Sequence, residues 1–516
     1  MKLKLALKKF NFLKKLNLED DIIMRFADSL ERLKRGGEEV LLTPLGDSLD
    51  PYEFLEGWQS ILLANIALLN DPLIKLESNS KTKFGPRSRA VPWPDREQSI
   101  RCSWTNQDDK HKPVFKTLVG PGYLLPIGMS GAKTKMKLSS SAGLPFFAKK
   151  SKTIDKLLSN FEFYHNRKDP CVLYTRTGEN WKTRNIWGFP FADTLYDMVF
   201  YVPLMLHQKT LPWRCSLVGP DEVNSKITEI VDYAMSTGRV IYSIDFAGFD
   251  ASVKWQYILE AFRYFATCFN ESFTDFILEI AERFYTIPLV TPTGVLVGKH
   301  GVCSGSNFTN EVDSVVQAMI AFLNDFIRVD KCVIQGDDGV YTMFKEEIKE
   351  FNKSFAYAGL KIEHSKSDIS SDHATFCQML YSNDYRDENG IIMPIYPTYR
   401  ALTRLIFPER FTDFKTTGIE TKDFYGIRGI TILENCKNHP LHEELVRYVV
   451  SKEKYKLQFS DSGLISYCTI ENKGAEETSQ TENFMYGAKV AGIKQFATYK
   501  LIQQIIREEK ECETTE

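Results

Sequence analysis

Two adjacent carboxylates, Asp337 and Asp338, stand between Gly336 and Gly339. Like charges on neighbouring residues repel unless a cation neutralises them, and hard divalent ions such as Mg²⁺ favour clustered carboxylate oxygens. The plain alternative is a surface turn, because Asp and Gly both suit turn geometry. A third carboxylate, Asp245, ends the apolar run Val240-Ile241-Tyr242-Ser243-Ile244, and Gly248 and Asp250 follow within five residues. Taken alone, Asp245 reads as a helix cap.

The elements around them predict how they are held. Val, Ile, Tyr and Phe flank the Gly336–Gly339 turn on both sides, the pattern of a β-hairpin. A strand over 240–244 followed by a helix, with Ile258, Phe262 and Phe265 at helical spacing, delivers Asp245 to a strand's C-terminal end, where ligands bind in α/β arrangements. The segment Gly301 to Asn310 is small and hydroxyl-rich and leads into a helix with Val312, Val315, Met319, Ile320, Leu323 and Phe326 as its buried stripe. Thr309 and Asn310 either cap that helix or offer hydrogen bonds to a sugar. A further helix with Ile348, Phe351, Phe355 and Ala358 stops at Gly359, and β character resumes at Leu360-Lys361-Ile362 before Lys366 in a polar loop.

Cationic residues fall in two groups upstream. Lys133, Lys135, Lys137, Lys149, Lys150 and Lys152 surround the loop Ser139 to Phe146, which either lets a phosphodiester backbone approach or is simply solvated. Arg176, Lys182 and Arg184 form the second group; on one strand, residues 182 and 184 share a face.

The 516 residues, 43% hydrophobic and 26% charged, suffice for two or three packed subdomains. A formal net charge of −2 means that any polyanion binding depends on local basic patches. The ten cysteines are scattered, which favours reduced thiols. Cys436, His439 and His442 have zinc-like spacing, but with no obvious fourth ligand they read as a polar loop before Pro440, structural zinc being the lesser alternative. No apolar run is long enough to span a bilayer. The first fifteen residues hold six lysines among apolar residues, as an amphipathic helix packed on the body would. Residues 20–80 read as helical, 81–94 as an exposed connection, and the chain beyond about 386 as helical again. An acidic Ser/Thr-rich interruption at 471–483 and an acidic tail at 508–516 are too polar to order themselves.

In this order the stretches resemble the motifs of viral RNA-directed RNA polymerases. Asp245-x4-Asp250 resembles motif A, Ser304-Gly305-x3-Thr309-Asn310 motif B, and Gly336-Asp337-Asp338 motif C. Lys366 stands at the motif D lysine, the strand Thr375 to Leu380 resembles motif E, Lys182 and Arg184 motif F, and Ser141-Ala142-Gly143-Leu144-Pro145 motif G. The wording Ser-Gly-Ser-x-Phe-Thr-Asn is most similar to small double-stranded RNA virus polymerases of the picobirnavirus and partitivirus kind. Cys303 stands where many members of the family have proline.

The resemblance implies an α+β right-hand fold of fingers, palm and thumb, closed into a ring with an antiparallel palm sheet. It places a bridging N-terminal extension at 1–80, fingers at 81–225 and 271–295, palm at 226–270 and 296–385, and thumb and tail at 386–516. Asp245, Asp337 and Asp338 would hold two Mg²⁺ ions, with Mn²⁺ as a substitute, and Lys366 would protonate the leaving pyrophosphate. Arg176, Lys182 and Arg184 would clamp the incoming triphosphate. Asp250, Ser304, Gly305, Thr309 and Asn310 would form the ribose site, and Ser141, Gly143 and Pro145 would meet the template. Implied partners are RNA template and product, rNTPs and a viral capsid protein, in the virion interior and host cytoplasm. A positive-strand picornavirus-like polymerase and a non-catalytic RNA-binding replication scaffold are the alternatives. A reverse transcriptase is disfavoured by the acidic Asp250, where those enzymes usually carry a bulky aromatic.

Overall fold

The computed structural model describes residues 1–414, 418–472 and 490–515. Residues 473–483 of the acidic interruption lie outside the described residues. A hairpin of β1 (Cys171–Thr177) and β2 (Thr183–Gly188) opens the sheet structure, and β3 (Val240–Ile244) follows a long helical stretch. Next come β4 (Leu289–Thr291), β5 (Gly294–Leu296), β6 (Val333–Gln335), β7 (Asp338–Met343), β8 (Asp368–Ser370), β9 (His373–Phe376) and β10 (Met379–Ser382). One four-stranded sheet has the order β2-β1-β4-β5 and a second the order β6-β7-β3-β8.

The second sheet carries the site, and every pairing in it is antiparallel. Its central strand β3 is almost wholly buried, in keeping with its run of Val, Ile and Tyr. Ile244 pairs with Gly339 and Gln335 with Asp338, so the hairpin turn is only Gly336-Asp337 and Asp245 comes level with Asp338. Gly336 takes φ +64°, the left-handed conformation that glycine adopts without strain. The expected strand at 360–362 is a single bridge, Ile362 to Phe246, because the chain there turns to wrap the end of β3. The single strand expected over 375–380 is instead the β9–β10 hairpin, which turns at Cys377 and Gln378, both at positive φ.

The helix Thr309–Ala321 lies beneath this sheet, and from Glu311 onward every residue of it is buried. Its side chains join those of the helix Trp255–Cys268, with Phe262, Phe265 and Phe308 in mutual ring contact, in the largest core cluster. Two further cores divide the amino-terminal segment. Residues from Ala6 to Leu30 pack against Leu144, Val172 and Val290. Residues from Leu45 to Phe84 pack instead into the carboxy-terminal helices, from Leu380 to Ile506. Trp58 Nε1 donates to Thr398 Oγ1 at 2.9 Å and Tyr448 OH donates to the Phe54 carbonyl at 2.6 Å, locking that second contact.

One sequence expectation fails in this region. The tail is helical: the helix Ala497–Thr515 continues through it, seated by Ile502, Ile505 and Ile506, and Glu508 pairs with Arg447 and Glu509 with Lys456. Packing of an amphipathic face supplies the order that composition alone withholds. The zinc reading of Cys436, His439 and His442, already the lesser one from the sequence, is not realised. Buried His439 accepts the Leu441 N–H at Nδ1 and sets Nε2 3.1 Å from Glu77, whereas His442 hydrogen-bonds Thr498.

Candidate active site

Asp245 follows the buried end of β3, and the loop 363–367 closes over it. The Asp245 N–H donates to Ser367 Oγ at 3.0 Å, the Glu363 N–H donates to the Asp245 carbonyl at 2.8 Å, and Lys366 Nζ lies 3.7 Å from Asp245 Oδ1. Burial pushes the Asp245 carboxyl above its usual range, Lys366 opposes that rise, and Asp337 adds to it. Asp338 is pushed up to about 7 by burial and then by the charges of Asp337 and Asp245, with the Cys377 thiol donating to its carboxylate. Asp250 is raised to about 6 by burial and by Asp337. These mutual shifts place Asp245, Asp250, Asp337 and Asp338 in one electrostatic neighbourhood. Among the described residues, however, no three His, Cys, Asp or Glu side chains converge as a ready-made metal cluster, so the expected ligands are close neighbours rather than a closed cage. Repulsion between unneutralised carboxylates keeps such oxygens apart, and all-oxygen donors of this kind suit a hard divalent cation.

Sequence reasoning missed two residues here. Asp313, one helical turn beyond Thr309, is buried, has Oδ1 without a hydrogen-bond partner, and is pushed well above the carboxylate range by burial and then by Asp250 and Asp337. Its place one turn from Thr309 was the available signal, obscured by the apolar stripe around it.

The second is Arg214, whose guanidinium is fully buried between the helix Thr309–Ala321 and the hairpin. It pairs with Glu311 at 2.8 Å, donates to Asn310 Oδ1 at 3.0 Å, and contacts Ser314 Oγ, the Ile334 carbonyl and Gln335 Oε1. Ser314 Oγ in turn accepts the Gly336 N–H at 2.8 Å, Gln317 Nε2 donates to the Gly336 carbonyl at 3.0 Å, and Tyr341 OH donates to Gln317 Oε1 at 2.7 Å. A Cβ at Gly339, at the start of β7, would stand 2.2 Å from Gln317 Oε1, the atom that the Tyr341 hydroxyl holds, so a larger residue there would displace that side chain. The turn that carries Asp337 and Asp338 is thereby fixed at Gly336 by buried hydrogen bonds.

The loop that precedes this helix is held to β2. Ser304 Oγ donates to the Asn185 carbonyl at 2.9 Å and Thr309 Oγ1 to the Cys303 carbonyl at 2.7 Å, so both hydroxyl protons shape the loop and only their oxygens remain as acceptors. Asn310 faces Arg214 and Gly336. At Gly305 a Cβ would fall 1.7 Å from the Trp187 carbonyl oxygen, which makes glycine obligatory.

The cations come from the β1–β2 hairpin. The strand begins at Thr183, so Lys182 lies in the turn, where Asn180 and Trp181 take positive φ, and the expected shared strand face of 182 and 184 does not form. Arg184 instead sits directly opposite Arg176. The field still gathers: Lys182 is lowered by burial and then by Arg184, Lys366 and Lys83, with Asp245 opposing, and Arg184 acts on Asp250. Lys182 and Arg184 thus face the carboxylates, whereas Arg176 lies 3.8 Å from Glu409.

Of the template group, Ser141 is exposed with Oγ 2.7 Å from Tyr174 OH, Pro145 is half-buried, and Gly143 is buried at φ +60° with the Phe189 carbonyl 2.3 Å from where a Cβ would be. Gly143 therefore packs the loop on the chain after β2 rather than facing solvent. Lys150 is buried and is lowered to about 8 by desolvation, against the opposing charge of Asp197. It belongs to the fold, unlike exposed Lys135, Lys137, Lys149 and Lys152.

The family model described as viral RNA-dependent RNA polymerase matches residues 128–391, which hold every residue of this site. A "Potential RNA-dependent RNA polymerase" of Human picobirnavirus (strain Human/Thailand/Hy005102/-) is 25% identical over 466 residues, 83% of this chain and 85% of that protein. The RNA-directed RNA polymerase of Cryptosporidium parvum virus 1 (strain KSU-1) is 26% identical over 210 residues, 36% of this chain and 38% of that one. In fold, the chain is similar to the crystal structure of the RNA-dependent RNA polymerase of a human picobirnavirus, with TM-score 0.77 and 22% identity over 92% of this chain and 96% of that one. With carboxylates on an antiparallel sheet, cations facing them, and this family match across more than half its length, the chain belongs to the viral RNA-dependent RNA polymerases, with their right-hand fold.

Proposed function

We propose that this polymerase copies the double-stranded RNA genome of a virus by two-metal nucleotidyl transfer from rNTPs to an RNA 3′-hydroxyl. The observation that carries the mechanism is the meeting of Asp245, Asp337 and Asp338, where Asp337 raises the carboxyls of the other two and Asp245 adds to that of Asp338, with Lys182, Arg184 and Lys366. Asp245 and Asp337 are the residues that would hold two Mg²⁺ ions, supported by Asp338, and bound metal supplies activation of the 3′-hydroxyl and neutralisation of the triphosphate. Lys182 and Arg184 draw in and orient the triphosphate of the incoming nucleotide. Lys366, beside Asp245, is placed to deliver a proton to the leaving pyrophosphate. Asp250, with Asp313 beside it, offers oxygens that accept from a ribose 2′-hydroxyl; a site built to pair with a hydroxyl discriminates against its absence. Residues 1–80 tie the fingers at 81–225 and 271–295 to the thumb beyond 386, around the palm at 226–270 and 296–385.

A capsid protein as partner, and action in the virion interior and host cytoplasm, belong to the same reading. The test is incorporation of labelled rNTPs on a single-stranded RNA template with Mg²⁺ or Mn²⁺, with Asp337→Asn/Asp338→Asn as the control. Template-length product from the wild type alone supports it. Equal use of dNTPs contradicts the ribose assignment, and product from the control contradicts the metal assignment.

A further inference from the structure

The loop that joins β1 to β2 holds a tryptophan where its backbone favours glycine. The Lys182 N–H donates to the Glu179 carbonyl at 3.0 Å, and the two residues between them, Asn180 and Trp181, take φ +53° and +60°. Positive φ at both central residues is the mark of a type I′ turn, for which Asn-Gly is the favoured pair. Asn180 suits its place. Trp181 does not, because a bulky side chain in the left-handed region crowds its own backbone, and strain of this kind persists where the surroundings enforce it and function uses it.

Burial does not offset the strain. Trp181 is 38% exposed and belongs to none of the apolar cores. Its neighbours are cations instead. The Arg89 guanidinium lies over the indole, 4.9 Å from the ring centre; it forms no ion pair with any described residue, and its Nε is buried without a hydrogen-bond partner. Lys182 follows in the chain, and exposed Lys83 acts on Lys182, which itself feels Asp245. The indole thus stands one residue from the group that meets the incoming triphosphate.

The loop is braced along its length. Buried Arg87 holds Glu179 at 2.9 Å, and Asn180 Nδ2 donates to the Thr82 carbonyl at 3.2 Å. The Val91 N–H donates to Thr183 Oγ1 at 3.0 Å, and that hydroxyl donates to the Trp181 carbonyl at 2.9 Å. A fixed, exposed ring with a guanidinium over it and ammonium groups close by has the chemistry of a nucleotide site: a base stacks on the ring whatever its identity, and phosphates meet the cations. One ring serves one base, whereas a strand is bound by successive rings along a groove. The single indole therefore favours a free nucleotide over a strand.

We infer that Trp181, backed by Arg89, is an outer platform for the base of a nucleoside triphosphate, whose phosphates Lys83 and Lys182 hold before the nucleotide passes to the carboxylates. This rests on the polymerase reading and adds to it a base contact outside the ribose and metal sites.

Equilibrium binding tests it without catalysis, so its failure is distinct from a failure of rNTP incorporation. Full-length wild type, Trp181→Gly and Trp181→Phe are titrated by calorimetry in EDTA with ATP, with inorganic tripolyphosphate and with a single-stranded RNA, and their melting temperatures are compared. Trp181→Gly is expected to bind ATP about tenfold more weakly and tripolyphosphate as before, with an equal or higher melting temperature because glycine suits the turn. Trp181→Phe keeps most of the ATP affinity. Absence of ATP binding to the wild type overturns the inference, as does unchanged ATP affinity in Trp181→Gly, which would leave the indole a packing group on Arg89. Equal loss of ATP and tripolyphosphate overturns it too, since the Lys182 turn and not a base contact would then have changed. Loss confined to the RNA would give the ring to a strand and overturn the nucleotide assignment.

Discussion

The two halves of the active site are built in opposite ways. The anionic half stands on the most buried part of the molecule: the Gly336-Asp337 turn is held by Ser314 and Gln317, and these by Arg214 and Tyr341, on a helix with no exposed residue beyond Asn310. The cationic half stands on turns and loops: Lys182 and Arg184 are exposed on the β1–β2 hairpin, and Lys366 is 64% exposed at its side chain. The difference follows from the work each does. Cation ligands must be held to within fractions of an ångström, which needs packing and satisfied hydrogen bonds. Charges that gather a diffusing polyanion act over several ångströms and gain from long, adaptable side chains in solvent.

The sharpest way to break this contrast is to change chemistry without changing support. Asp337→Asn is expected to lower rNTP incorporation about a thousandfold or more, with RNA binding by filter retention unaltered. Substantial remaining synthesis would remove Asp337 from the metal-holding role. Next in size is the support itself. Arg214→Met strands the Glu311 carboxylate in the core and is expected to cost about 3–5 kcal/mol in denaturant unfolding. Arg214→Met/Glu311→Leu should recover much of that stability while incorporation stays low, because the turn has lost its anchor. Recovery of both would make the network a matter of stability alone.

On the cationic half, Lys182→Ala is expected to raise the rNTP KM about tenfold with kcat changed less than threefold and melting temperature unchanged. A fall in kcat with constant KM would place Lys182 in the chemical step. The smallest effect probes burial. Asp250 is held above its ordinary value, so its ionised form is penalised in the fold; that penalty is absent below the unfolded value of 3.8, grows as pH rises towards about 6, and is complete above it. Asp250→Asn should therefore raise the melting temperature by about 1–2 °C at pH 8 and leave it unchanged near pH 3.5. The same gain at both pH values would mean that the site does not penalise the ionised carboxylate.

Much of the site was legible in local pattern. Asp245, Asp337 and Asp338 ride on short apolar runs bounded by glycine, and strand periodicity and turn chemistry are properties of adjacent residues. Other features were not. The zinc-like triplet dissolves because His439 turns towards Glu77, more than 350 residues earlier in the chain, and the acidic tail orders because Ile502, Ile505 and Ile506 seat its helix on the carboxy-terminal core, where Arg447 and Lys456 also meet its carboxylates. Thr309 and Ser304 read as sugar contacts, yet their hydroxyl protons close the loop, a use visible only once Cys303 and Asn185 are beside them.

By itself, then, the sequence determined which residue types arrive at strand ends and turns, and hence the chemistry on offer: carboxylates for hard cations, and lysine and arginine for phosphate. Tertiary structure alone decided which of them meet. Arg214 is 96 residues from the Asn310 it binds, and Arg87 and Arg404 converge from opposite ends of the chain. A buried charge takes its meaning from the partner that neutralises it. That partner is selected by packing, which a linear pattern does not encode.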